Sequence, residues 1–152
     1  MELEAIRNFR RQDERIVTGG QPSEEQLRVV AGAGIDVVIN LALHDQPQYS
    51  LPDERALVEG LGMEYVHIPV QWDAPLESDL LAFFQAMDAR TAQRILIHCA
   101  ANKRVTAFLG LYNLLRLHHS REQAFRLMND IWQPEGVWAD FIRAMSLKYS
   151  KA

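Results

Sequence analysis

Two periodicities alternate along the chain. Asp36–Leu41 (with Val37-Val38-Ile39 at its centre), Glu64–Ile68 and Ile95–His98 are short apolar runs, as expected of strands covered on both faces. Between them lie stretches with helical spacing. The clearest is Leu76–Arg90, where Leu76, Leu80, Phe83, Phe84 and Met87 share one face. Punctuation residues set the other elements. Arg15–Thr18 reads as a short strand closed by Gly19-Gly20, and Ser23 with Gln26 forms a capping box that opens a helix over Glu24–Ala33. Gly34 stands where a left-handed C-cap is wanted. Pro52 and Asp53 open a short helix ending near Gly60 to Gly62, and Pro69 stops the Glu64 strand. A helix is predicted over Val105–Leu117. A second capping box, Ser120 with Gln123, starts a helix through Ile131. Pro134 and Gly136 separate it from a last amphipathic helix, Trp138 to about Lys148.

Strands alternating with helices predict an α/β fold: a single domain over residues 1–152 with a central, mostly parallel sheet of about four to five strands and helices on both faces. In such sheets ligands bind beyond the carboxyl ends of the strands.

Composition narrows the setting. Hydrophobic content of 48% and charged content of 24% are those of an ordinary globular chain, and the formal net charge of −4 argues against nucleic acid or an acidic membrane as partner. A single cysteine excludes an intrachain disulfide. Met1-Glu2-Leu3-Glu4 lacks the basic start of a signal peptide, and no apolar run approaches the ~18 residues of a membrane span. A cytoplasmic location is therefore expected. Oligomeric state is left open. His118 and His119 are adjacent and face different directions, and His44 and His67 have no partner at ligand spacing. No metal or other cofactor is called for.

The one cysteine lies in the stretch that carries the chemistry, His98-Cys99-Ala100-Ala101-Asn102-Lys103-Arg104-Val105-Thr106. A strand that ends in a short loop opening a helix aims several backbone N–H groups into one concavity, where the helix dipole adds about half a positive charge. A thiol at its rim should ionise easily and be open to oxidation, and an arginine in the loop offers a fork for an anion's oxygens. Arg94, Lys103 and Arg104 bracket the cysteine with positive charge. Ala100, Ala101, Asn102, Lys103 and Arg104 would bind the oxygens of a phosphate monoester, and Cys99 would attack phosphorus. His98 is read as bracing the loop. Asn102 tolerates the left-handed backbone that a glycine-free loop needs. Thr106 either bonds a carbonyl of its own helix or, as its spacing favours, points at the thiolate. Asp73, in the loop Val70-Gln71-Trp72-Asp73-Ala74-Pro75, is the first choice for the general acid, and Asp45 the second. Trp72 packs under its loop, and Trp132 and Trp138 read as core. Glu77 and Asp79 are read as helix caps, and Arg10, Arg11 and Arg15 as a solvated basic face.

His98-Cys99 through Arg104, with Trp72-Asp73 upstream, resembles the cysteine-dependent protein tyrosine phosphatases of the compact dual-specificity type. Thr18-Gly19-Gly20-Gln21-Pro22-Ser23, Gly34 through Leu41, Ile68 through Pro75 and Ile131-Trp132-Gln133-Pro134 are similar to a small bacterial branch of that superfamily. The resemblance implies a dual-specificity-phosphatase-like fold. It also implies hydrolysis of a phosphorylated protein or small phosphate ester through a cysteinyl-phosphate intermediate. One departure stands out. The superfamily signature is His-Cys-x5-Arg-Ser/Thr, whereas Arg104 comes one residue early, as Cys-x4-Arg, a shorter spacing that the bacterial branch carries. Phosphate binding is thus more directly supported than efficient turnover. A phosphate-binding module with little turnover and a rhodanese-like sulfurtransferase are the alternatives.

Overall fold

The computed structural model describes residues 2–43 and 50–150. Five strands form one sheet: β1 (Arg10–Arg11), β2 (Ile16–Gly19), β3 (Val37–Asn40), β4 (Glu64–His67) and β5 (Ile95–His98), in the order β1-β2-β5-β3-β4. Among the described residues only strand β1 pairs antiparallel in this sheet. Gly19, His98, Asn40 and His67 stand in register, so the four parallel strands finish along one edge. β5 lies between β2 and β3, and the loop that follows it emerges at the centre of that edge. This is the α/β architecture expected from the alternating pattern.

Helices cover both faces. α1 (Glu24–Gly32) and α2 (Glu54–Gly60) lie on one side with a 3-10 turn at Leu3–Ala5. There Val17, Val38 and Leu96 of the sheet meet Leu3, Ile6, Leu27, Val30 and Val58. On the other side are α3 (Glu77–Asp88), α4 (Lys103–Leu115), α6 (Arg126–Ile131) and α7 (Gly136–Tyr149). Ile16, Val37, Ile39, Ile95 and Ile97 meet Leu80, Phe83, Phe108 and Trp138 in that core. Alternate residues of one strand thus enter different cores, which is why the strands read as unbroken apolar runs.

Local chemistry accounts for most boundaries. Ser23 and Gln26 form both halves of the capping box, and Gly34 follows α1 at φ +85°. Several expectations need correction. β1 carries no apolar signal in Arg10-Arg11 and exists only through pairing with β2. The helix expected from Ser120 through Ile131 is broken at Phe125 into α5 (Arg121–Ala124) and α6. The Phe125 ring lies where a Cβ on Gly110 of α4 would sit, so packing on α4 overrides helix continuity. α4 begins at Lys103, before Val105, because Asn102 turns the chain at φ +66°. Asp79 accepts the Leu76 amide as a cap, but Glu77 instead accepts Lys148 Nζ at 2.8 Å and the Tyr149 hydroxyl, tying α3 to α7. Among the described residues no helix is long and apolar enough to cross a membrane.

Candidate active site

Cys99–Asn102 join the end of β5 to the start of α4, and the neighbouring chain holds them from outside. The Gln21 amide donates to the Ala100 carbonyl at 3.1 Å, and Asn8 Nδ2 to the Ala101 carbonyl at 3.0 Å. Asn102 Nδ2 donates to the Asn8 carbonyl and to Thr18 Oγ1, both at 2.8 Å. With the Ala100 carbonyl drawn outward, the trans peptide turns the Ala101 N–H the opposite way. Gly20 lies against the loop so closely that a Cβ there would stand 2.5 Å from the Ala100 oxygen. Asn102 takes the left-handed backbone conformation, as the lack of glycine required.

The first turn of α4 runs against the usual helix electrostatics. An N-terminus favours acids and a capping side chain, yet this turn has no acidic residue and Asn102 makes no cap bond. Lys103 and Arg104 stand there instead, beside N–H groups that have no partner within the helix. Both features fit an anion supplied from outside.

Cys99 is 1% exposed, which corrects the expectation of an exposed thiol. It follows the central strand and packs in the α4-side core. Arg104 is partly buried, and its Nη1 donates to the Val70 carbonyl at 2.8 Å. Val70 leads into a turn, closed by the Ala74 amide on the Gln71 carbonyl at 3.3 Å, with Trp72 and Asp73 at its corners. The Asp73 side chain is exposed. Trp138 Nε1 donates to the Trp72 carbonyl at 2.7 Å, and the Trp72 ring packs 5.5 Å from Trp132 and 5.6 Å from Trp138. Trp132 Nε1 donates in turn to Thr106 Oγ1 at 3.1 Å, and Lys103 Nζ lies 5.9 Å from the Trp132 ring centre. Three indoles therefore tie the Asp73 turn to the start of α4.

The preferred orientation of Thr106 does not hold. Its hydroxyl lies 2.8 Å from the Asn102 carbonyl and 3.1 Å from that of Lys103, the back-bonding that a helical threonine adopts. Among the described residues no hydrogen bond joins it to Cys99. Arg94 does not contribute to the site. It stands at the opposite end of β5, donating to the Ala33 carbonyl at 2.6 Å and the Glu14 carbonyl at 3.2 Å. Arg10 and Arg11 pair with Asp130 and Glu4, while Arg15 donates to the Arg90 and Gln93 carbonyls. Asp45 lies outside the described residues.

His98 has a buried partner that sequence reasoning missed. Its Nε2 meets Glu54 Oε2 at 2.6 Å with both side chains fully buried, and Glu54 Oε1 accepts Gln21 Nε2 at 2.7 Å. Tyr65 joins the cluster, accepting from Asn40 Nδ2 at 3.0 Å. Burial, and then the Glu54 carboxylate, push the Tyr65 phenol far above its usual pKa. In the sequence Glu54 is only an acidic residue in the first turn of a short helix, 44 positions from His98, and no local signal marks it.

A mostly parallel sheet with a cysteine-to-arginine loop opening a helix at its carboxyl edge defines the dual-specificity-like class of cysteine phosphatases. The chain belongs to the PTP-NADK family, described as a DSP-PTPase phosphatase fused to NAD+ kinase, whose model matches residues 4–131. It is similar to a DUF442 protein of Shewanella putrefaciens CN-32, a candidate phosphatase, with 36% identity over 98% of this chain and 97% of the other and a TM-score of 0.87. Tk-PTP in its active form shares the fold at 22% identity, covering 93% of this chain and 95% of its own, with a TM-score of 0.73. So does a cysteine-to-serine variant of Pseudomonas aeruginosa TpbA bound to phosphotyrosine, at 13% identity, 96% and 93% coverage and a TM-score of 0.66. No curated protein matches the chain.

Proposed function

We propose that the chain hydrolyses phosphate monoesters through a cysteinyl-phosphate intermediate. The observation that carries this is the bond from Arg104 Nη1 to the Val70 carbonyl, which sets the guanidinium of the cysteine loop against the turn that presents Asp73. Anion site and proton donor thus belong to one arrangement.

In the first half-reaction Cys99 Sγ attacks phosphorus as the thiolate. The bond from phosphorus to the ester oxygen breaks, and Asp73 gives its proton to the leaving oxygen. Loop N–H groups and the remaining Arg104 donors stabilise the equatorial oxygens. In the second half Asp73 takes a proton from water as that water attacks phosphorus. The S–P bond breaks, and phosphate leaves with the thiolate restored. Phosphotyrosine, the ligand seen in the TpbA variant, is the first substrate to try. Membership of a phosphatase family weighs against the sulfurtransferase alternative.

The test is a pH-rate profile for hydrolysis of an aryl phosphate by wild type, Cys99→Ser and Asp73→Asn. We expect no turnover from Cys99→Ser. Asp73→Asn should lose about 10²–10⁴-fold in kcat together with the alkaline limb of the profile. Wild type no faster than Cys99→Ser would reject hydrolysis. Phosphate protection of Cys99 from alkylation in that case would leave a binding module.

A further inference from the structure

The buried polar cluster behind the loop exceeds what packing requires. Glu54 is 1% exposed, in the first turn of a seven-residue helix, facing a sheet whose neighbouring core is apolar. A buried carboxylate is costly, and an apolar side chain of the same volume would pack as well. This one is fully engaged. Its two oxygens accept Gln21 Nε2 at 2.7 Å and His98 Nε2 at 2.6 Å, and the Tyr65 hydroxyl adds a third hydrogen bond. Tyr65 accepts from Asn40 Nδ2, which leaves its own proton for the carboxylate. Arg55 Cζ lies over the Tyr65 ring, 5.0 Å from its centre.

Two of these donors, His98 and Gln21, lead to the loop. His98 is the residue before Cys99, and its Nδ1 lies 3.4 Å from the Cys99 carbonyl. Gln21 holds the Ala100 carbonyl through its own amide at 3.1 Å. A carboxylate can only accept, so it fixes the proton of His98 on Nε2. With that proton on Nε2, Nδ1 has none to give the Cys99 carbonyl. Glu54 therefore acts on the loop by fixing the ring of the residue before Cys99 and the side chain of Gln21, whose backbone amide holds Ala100.

We propose that Glu54 is the positioning residue of the cysteine loop, holding it in its anion-binding shape through His98 on one side and Gln21 on the other. This rests on the loop being an anion-binding nucleophile site, and it does not require turnover. Glu54→Gln keeps the volume and one acceptor, but turns an amide NH2 toward groups that are themselves donors.

Two measurements test the proposal. In the ¹H–¹⁵N spectrum the bonded His98 ring N–H should appear as a slowly exchanging downfield signal, lost in Glu54→Gln. Protection of Cys99 from iodoacetamide by inorganic phosphate should weaken by at least about tenfold in that variant, and kcat on an aryl phosphate should fall more than KM rises. If the ring signal disappears while phosphate protection stays within about twofold of wild type in folded protein, Glu54 is only structural and the proposal is wrong. Should Glu54→Gln not fold, Gln21→Ala and Tyr65→Phe each remove one donor. Partial loss of protection supports the proposal, and unchanged protection in both overturns it. Phosphate protection that depends on Glu54 in a wild type without turnover would sustain this inference and reject only hydrolysis.

Discussion

At the scale of single residues, the site is shaped by contacts that leave no room. Gly20 touches the loop from outside, and any Cβ there must displace the Ala100 carbonyl or the backbone of Arg7, whose oxygen would stand 3.2 Å away. Gly20→Ala should push the loop by several tenths of an ångström without unfolding the sheet. Since ~1 Å of misplacement can cost about 10²-fold in rate, the expected outcome is a kcat about 10–100-fold lower with a Tm within a few degrees of wild type. Steady-state kinetics beside a thermal melt checks both halves, and an unchanged kcat would show that the loop tolerates the shift. Asn102 illustrates the same scale from the sequence side. Its left-handed backbone was legible from residue type in a glycine-free loop. Its two side-chain bonds, to Asn8 and Thr18, were not, because those partners lie 94 and 84 positions away.

At the scale of elements, α4 carries the loop at one end and the core along its length. Every residue from Val105 to Asn113 is buried, so this helix has no solvent face in its centre. Gly110 looks out of place by helix propensity, where alanine is favoured by about 1 kcal/mol. Packing reverses the sign. A Cβ at that position would lie 2.2 Å from Cδ1 and 2.4 Å from Cε1 of Phe125, a ring itself only 3% exposed. Overpacking of this kind costs about 1–3 kcal/mol, so Gly110→Ala should be destabilising on balance and lower Tm by a few degrees. A denaturant melt giving a higher midpoint would show that Phe125 relocates freely. The same contact explains why the capping signal at Ser120 was right about where a helix starts and wrong about how far it runs. The start is set by the bond from the Gln123 amide to Ser120 Oγ, the break by a ring seated on another helix.

Across the whole molecule, ion pairs between distant segments make stability depend on pH. Arg90, two residues past the end of α3, donates from Nε and Nη2 to both carboxylate oxygens of Glu64 on the edge strand β4, at 3.0 and 2.5 Å. That hydrogen bonding holds the Glu64 carboxyl below its ordinary pKa. A depressed carboxyl contributes stability that is complete above the unfolded value, about 4.3 for glutamate, and disappears as pH falls through the folded value. Glu64 is half exposed, so solvent screening limits the contribution to at most about 1 kcal/mol. Glu64→Gln should therefore melt slightly lower than wild type at neutral pH, the gap closing as pH drops below about 4. A gap that persists at low pH would mean that the pair acts through packing.

The chain's own pattern determined the α/β alternation, the doubly covered strands, the approximate helix boundaries and the stretch from His98 to Thr106. Each of these is written in neighbouring residues: apolar runs, capping boxes and a strand-to-helix junction around one cysteine. It also placed Asp73 in a loop leaving β4, which the parallel sheet brings to the edge where β5 ends. Only the tertiary structure decided the rest. The two-residue β1 exists because β2 offers it a ladder. The burial of Cys99 follows from the central place of β5, and the hydroxyl of Thr106 was captured by the carbonyls of its own helix. The grip of Glu54 on His98 and Gln21 needed β5, α2 and the Gly20 turn to converge. Such contacts join residues tens of positions apart, and no local propensity encodes a partner that only folding brings within hydrogen-bond reach.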